Sequence, residues 1–288
     1  MNRRDILKIL AALPLSMYIN PLSSACAIKS SDKQTFEQLL SKAIDGKYYQ
    51  LKIGEIMGRL GIQLLGTPYK GGTLETPGKE VCSVYLNYFD CVTFYETVMD
   101  MARIIQKTEY NFNALVKEVK MTRYRNGNIE DYTSRLHYTS DWIFENVKNG
   151  VVDDITKKLG GQAVQFDVSF MTENPQYYEK LKNNPAFVRK MKEIEKNISE
   201  RTYYIIPHDK IKNVESNFRT GDIIALTSNV EGLDYAHTGF IYKDGDIPLF
   251  LNASSDRKKV FLDDTVSNYV ERIGKKQAIT VVRPLNVK

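Results

Sequence analysis

The stretch from Asn87 to Gln106 constrains the fold more than any other, because it dictates both a loop end and a helix start. Cys91, Tyr95, Val98, Ala102 and Ile105 recur at helical spacing and make one apolar stripe. Thr93, Glu96, Thr97, Asp100, Arg103 and Lys107 fall on the other side. Asp90 stands where a capping carboxylate can accept the unpaired N–H groups of the first turn. Cys91 then lies in that turn, where the helix dipole favours an anion and a thiol ionises more easily. Two readings follow. Cys91 is a nucleophile, or it is a small apolar residue on the core face.

The beginning of the chain reads as a targeting segment. Arg3, Arg4 and Lys8 form a basic region, Ile6 to Ile19 is an interrupted apolar run, and Ala25-Cys26-Ala27 is a small-x-small cleavage signal. The order Asn-Arg-Arg-Asp-Ile-Leu-Lys is also similar to a twin-arginine export signal, and lipidation at Cys26 is a weaker alternative to cleavage after Ala27. Residues 1–27 are expected to be an export signal and 28–288 a single domain, exported and periplasmic. No other stretch is long and apolar enough to span a bilayer, so no stable membrane insertion is expected after cleavage. The net charge is +5, of which the leader holds +2. The remaining charge is mild and its Lys and Arg are scattered among acids, which argues against nucleic acid.

Helices are expected over 36–44, 51–65 and 110–120, and around Trp142, with a turn at 124–127. Asn174-Pro175 and Asn184-Pro185 each place a capping Asn before a Pro at the first helical position, predicting two more. From Phe218 onwards the texture changes to short strands, over 222–227, 237–243, 247–252, 259–262 and 278–283. Helices first and hairpin-like strands second predict an α+β fold with an antiparallel sheet. The span of about 108–216 reads as a helical insertion.

A Cys nucleophile needs a base, and the chain offers His137, His208 and His237. His237 begins a predicted strand, and Asn252 ends the next, so the two can lie side by side with Asn252 orienting the imidazole. The bland alternatives are a hydrogen-bonded surface histidine and a turn asparagine. After cleavage two cysteines remain, Cys82 and Cys91, and a disulfide between them is the rival reading in an oxidising compartment. No metal-ligand spacing and no nucleotide or serine-hydrolase motif is present, so neither metal nor cofactor is expected.

Leu65-Gly-Thr-Pro-Tyr-Lys-Gly-Gly-Thr73, Phe89-Asp-Cys-Val-Thr-Phe94, Thr220-Gly-Asp-Ile-Ile-Ala-Leu226 and Ala236-His-Thr-Gly-Phe240 resemble the successive signatures of NlpC-type papain-like cell-wall hydrolases. Within that superfamily the chain more closely resembles the N-acetylmuramoyl-L-alanine amidase-like group. The further carriers are Tyr124-Arg-Asn-Gly127, Tyr132 to Tyr138 with Asp141-Trp-Ile143, Gly232 to His237, and Ala253-Ser-Ser255 followed by Lys259-Val260. The resemblance implies a papain-like core with the catalytic Cys at a helix N-terminus packed on the sheet. It also implies a cysteine amidase acting on peptidoglycan-derived muropeptides, anhydro-muropeptides in particular. Cys91, His237 and Asn252 would be catalytic, with Tyr69 at the oxyanion. Many such proteins carry His where this chain has Asn252. Tyr124, Arg125, Ser134, Arg135 and His137 would bind the substrate. A stem-peptide endopeptidase of the same fold and a non-catalytic peptidoglycan-binding module remain alternatives.

Overall fold

The computed structural model describes residues 29–274 and 277–287. The expected export signal, with Cys26, lies outside the described residues. Helix α1 spans Ser30–Asp45 and α2 spans Ile53–Gln63. The central helix α3, Cys91–Gln106, contacts α2 and the following helix α4, Phe112–Arg123. Helix α5, Thr139–Lys148, carries Trp142.

Six strands form one antiparallel sheet. In chain order they are β1 (Val152–Asp154), β4 (Ile223–Thr227), β5 (Tyr235–Asp244), β6 (Ile247–Ser254), β7 (Lys259–Thr265) and β8 (Ile279–Pro284). They lie side by side as β1-β8-β4-β5-β6-β7. A two-stranded ribbon pairs β2 (Gln162–Val164) with β3 (Tyr203–Ile205). The architecture is therefore helix plus antiparallel sheet, as the change of texture at Phe218 predicts.

Successive strand residues point to opposite faces, and here both faces are covered. Ile223, Ala225, Phe240, Leu251 and Val282 pack with α1 to α4. Ile224, Leu226, Ile241, Phe250 and Val281 face the other way, against Val266 and Val270 of helix α7, Val266–Ile273. The glycines of α2 answer to close approach. A Cβ at Gly61 would lie 2.6 Å from the Phe240 ring, and one at Gly54 would lie 2.2 Å from the Thr220 carbonyl oxygen.

Three features depart from expectation. The span 108–216 is not wholly helical, because β1, β2 and β3 arise within it and β1 pairs with β8 in the main sheet. Asn184 caps helix α6, Pro185–Ser199, by accepting from the Phe187 N–H at 3.1 Å. Asn174 does not cap: its amide donates to the Phe170 carbonyl, and a 3₁₀ turn, Pro175–Tyr177, and a four-residue helix, Glu179–Lys182, follow. Helix α7 was not expected, although Thr265 as N-cap and Gly274 at a left-handed C-terminus both signal it.

Candidate active site

Asp90 caps α3 as its sequence position predicts. Its carboxylate accepts from the N–H groups of Val92 at 3.1 Å and Thr93 at 2.8 Å, and Thr93 Oγ1 accepts from the Asp90 N–H in return. The cap thus takes the second and third N–H groups and does not occupy that of Cys91. The polar side of α3 is buried rather than solvated. Glu96 accepts from Arg123 at 2.7 Å and from the Trp142 indole at 3.2 Å, and Thr122 donates to Asp100 at 2.7 Å. Arg103 meets Glu118 at 2.5 Å. This hydrogen-bonded layer ties α3 to α4 and α5, so the helix that presents Cys91 is held on every side.

His237 and Asn252 come from neighbouring strands β5 and β6. His237 Nε2 lies 3.1 Å from Asn252 Oδ1, and Asn252 is fully buried. The amide NH₂ of Asn252 turns to the Phe250 carbonyl at 3.4 Å, which leaves Oδ1 as an acceptor for the ring. Nε2 therefore carries the proton and Nδ1 is the basic nitrogen. Gly239 makes this possible, because a Cβ there would sit 2.8 Å from Asn252 Cβ. The imidazole is flanked by Tyr269 of α7, stacked at 6.0 Å, and by Phe250, edge-on at 5.9 Å.

Thr238 on β5 lies against the Cys91 thiol. Tyr269, which stacks on His237, has its hydroxyl raised by burial first, then by Asp263, Asp256 and Cys91. Burial pushes the Cys91 thiol up to about 11, and the Asp90 charge adds to the rise. The acidic thiol expected at a helix N-terminus is therefore not what stands here. Desolvation and a neighbouring carboxylate outweigh the dipole. Tyr69 is also near: burial, then the Cys91 charge, raises its hydroxyl well above the ordinary range, so it stays a donor. It is pinned by its N–H to the Lys258 carbonyl at 2.9 Å and by the Lys70 N–H to the Phe89 carbonyl at 2.8 Å.

No disulfide joins Cys82 to Cys91. Cys82 is buried and its thiol points to the Val116 carbonyl at 3.7 Å. The disulfide reading therefore has no support in the structure. Among the described residues no group of three His, Cys, Asp or Glu converges to hold a metal ion.

The five residues expected to bind substrate all have partners inside the protein. Tyr124 is buried, its hydroxyl bonded to Glu80 at 2.9 Å and to the Val81 carbonyl at 3.1 Å. Arg125 pairs with Asp141 and Glu145 at 2.5 and 3.3 Å. Ser134 Oγ donates to the Asp131 carbonyl at 2.5 Å. Arg135 donates to the Leu74 carbonyl at 2.9 Å and to Glu75, and its guanidinium lies over the Tyr132 ring at 4.9 Å. His137 bonds the Tyr132 carbonyl at 2.8 Å, and burial followed by the Arg135 charge holds its ring well below the usual histidine range. The residue that the sequence reading missed is Tyr269, hidden in the unrecognised helix α7.

A mixed helix and antiparallel-sheet protein, with a histidine–asparagine pair on two strands that contact the helix beginning at Cys91, is the class these features define. A family model described as N-acetylmuramoyl-L-alanine amidase-like matches residues 59–277, and the chain belongs to that family. Among solved structures the chain is similar to an N-acetylmuramoyl-L-alanine amidase from Bacteroides uniformis. That likeness is at 34% identity and a TM-score of 0.75, over 81% of this chain and 99% of that one. A Bacteroides fragilis protein described as a xylanase aligns at 35% identity and a TM-score of 0.72, over 77% and 98% of the two chains. A Legionella pneumophila protein at 20% identity and a TM-score of 0.68 shares the fold. The comparison with curated proteins gives no match.

Proposed function

We propose that the protein is a cysteine amidase of papain-like, NlpC type that cuts the bond between N-acetylmuramic acid and L-alanine in peptidoglycan fragments. The observation that carries this reading is the His237–Asn252 contact at 3.1 Å, beside the helix whose first residue is Cys91. Family membership and the amidase from Bacteroides uniformis supply the bond. The groups gathered around Cys91 suit acyl transfer, whereas glycoside hydrolysis uses paired carboxylates.

The chemistry follows from the protonation states. The thiol rests neutral, so His237 Nδ1 takes its proton as sulfur attacks the lactyl carbonyl carbon, and a carbon–sulfur bond forms. The oxyanion receives the Cys91 N–H, which the Asp90 cap leaves unoccupied, and the Tyr69 hydroxyl. His237 then gives its proton to the alanine nitrogen as the carbon–nitrogen bond breaks. Water, deprotonated by the same ring, hydrolyses the thioester and restores the thiol. Asn252 holds the Nε2–H tautomer throughout. In this reading Tyr124, Arg125, Ser134, Arg135 and His137 frame the site from behind, because each is engaged internally. Small anhydro-muropeptides are the proposed substrates and the periplasm the proposed location.

The test is incubation with defined muropeptides and mass spectrometry of the products. A free L-alanine-terminated peptide and an intact muramic acid moiety are expected, and Cys91→Ala should yield neither. A cut inside the stem peptide would replace the amidase reading by an endopeptidase.

A further inference from the structure

The segment from Lys70 to Val81 has no helix or strand of its own. It turns at Gly72 and Gly78, whose φ values of 69° and 79° lie in the left-handed region that favours glycine. Such a segment keeps one shape only if something outside it supplies the bonds. Here the bonds come from residues far along the chain. Arg135 donates to the Leu74 carbonyl and the Glu75 carboxylate, and the Tyr132 hydroxyl reaches Glu75 at 3.4 Å. Tyr124 holds Glu80 and the Val81 carbonyl, and Lys180 donates to the Gly78 carbonyl. Arg135 and Tyr124 each grip backbone and side chain together, Arg135 at the end nearer Tyr69 and with a side chain that is 4% exposed.

The near end of the same segment touches the site. A Cβ built on Gly71 would lie 3.6 Å from the Tyr69 hydroxyl, so the loop backbone runs against that phenol. Only Gly72 and Thr73 separate Gly71 from Leu74, where Arg135 takes hold.

We propose that Arg135 is a positioning residue for Tyr69: its guanidinium clamps the Leu74–Glu75 turn, and the turn holds Gly71 against the Tyr69 hydroxyl so that the phenol points at the developing oxyanion. The proposal rests on the amidase reading, in which Tyr69 stabilises that oxyanion. Arg135 acts on the transition state through Tyr69 and makes no contact with substrate. A guanidinium suits this task because its fork serves two acceptors at fixed angles, which an ammonium cannot do.

The experiment is a double-mutant cycle of Arg135→Gln and Tyr69→Phe, read as kcat and KM on a defined muropeptide. Tyr69→Phe should lower kcat by about 100-fold, the order expected for one oxyanion donor. Arg135→Gln should lower kcat by about tenfold with KM nearly unchanged. The double variant should be no slower than Tyr69→Phe alone. Losses that multiply, or an Arg135→Gln effect confined to KM, would overturn the proposal, the latter by making Arg135 a substrate ligand. Amide hydrogen exchange gives a readout that does not need turnover. In Arg135→Gln, exchange of 70–81 should rise while α3 stays protected and Cys91 alkylation keeps its rate. Unchanged exchange in 70–81 would also overturn it. Should Arg135→Gln not fold, Arg135→Lys, which lacks the planar fork and its fixed angles, takes its place in both measurements. Wild-type protein that cuts no muropeptide would defeat the amidase reading, and with it the role given to Tyr69, while the exchange measurement still decides whether Arg135 clamps the loop.

Discussion

Cys91 stands under opposing influences. The first turn of α3 favours its anion, whereas burial and the Asp90 carboxylate favour the thiol and prevail at about 11. Alkylation of the substrate-free protein should therefore climb with pH towards that value rather than level off near neutrality. Asp90→Asn keeps an oxygen for the cap and removes the charge, so it should move the alkylation curve to lower pH with a stability loss below about 1 kcal/mol. An unmoved curve would show that Asp90 has no electrostatic hold on the thiol. His237→Ala should abolish turnover because base and acid vanish together, while Asn252→Ala should leave a measurable remnant, since Asn252 only orients the ring. Equal, total loss in folded protein would give Asn252 a larger part. Cys91 at a helix start and His237 beside Asn252 on adjacent strands were legible from local rules, although β5 begins at Tyr235, ahead of His237, and β6 runs past Asn252 to Ser254. The thiol's ionisation was not, because it depends on burial, which only the folded chain supplies.

Helix α3 shows how an element can look amphipathic and be buried on both sides. Its apolar stripe contacts the core, and its polar side meets Arg123, Thr122, Glu118 and Trp142. Arg123→Met should therefore cost about 3–5 kcal/mol in chemical denaturation, because it strands Glu96 without its partner. The double variant Arg123→Met with Glu96→Gln should recover part of that loss. A loss below about 1 kcal/mol for the single variant would mean that the layer is not tight. Periodicity gave the stripe, but it could not say that other helices cover the polar side. Short elements were the least legible. β1 has three residues, two of them acidic, and no alternation can establish itself over that length. Asn174 and Asn184 carry the same local signal and only Asn184 caps, because the Asn174 side chain is drawn to the Phe170 carbonyl instead.

At the scale of the whole molecule, buried ionisable groups set how stability answers to pH. Asp100 is buried, and desolvation first, then the Glu96 charge, raises its carboxyl well above 3.8. Its folded value exceeds its unfolded one, so its contribution is full below 3.8 and is lost as pH rises through the folded value. The stability of wild type relative to Asp100→Asn should thus decline with rising pH, by at most about 1.4 kcal/mol per pH unit. His137 works in the opposite sense. Its folded value lies below 6.5, so its contribution is complete above 6.5 and fades as the medium acidifies. Relative to His137→Asn, wild type should lose melting temperature below pH 6.5 and hold steady above it. The antiparallel sheet itself was legible from the run of hairpins after Phe218, but its strand order was not, since nothing local joins Val152 to Pro284. That pairing bears on how the protein is made. β8 is the last strand of the described sheet to leave the ribosome, yet it lies inside the sheet, between β1 and β4. Until it emerges, β1 has no neighbour and β4 presents an open edge. The sheet is therefore committed to waiting, unfinished, until β8 emerges, and a nascent chain stopped before Ile279 has nothing with which to close the gap.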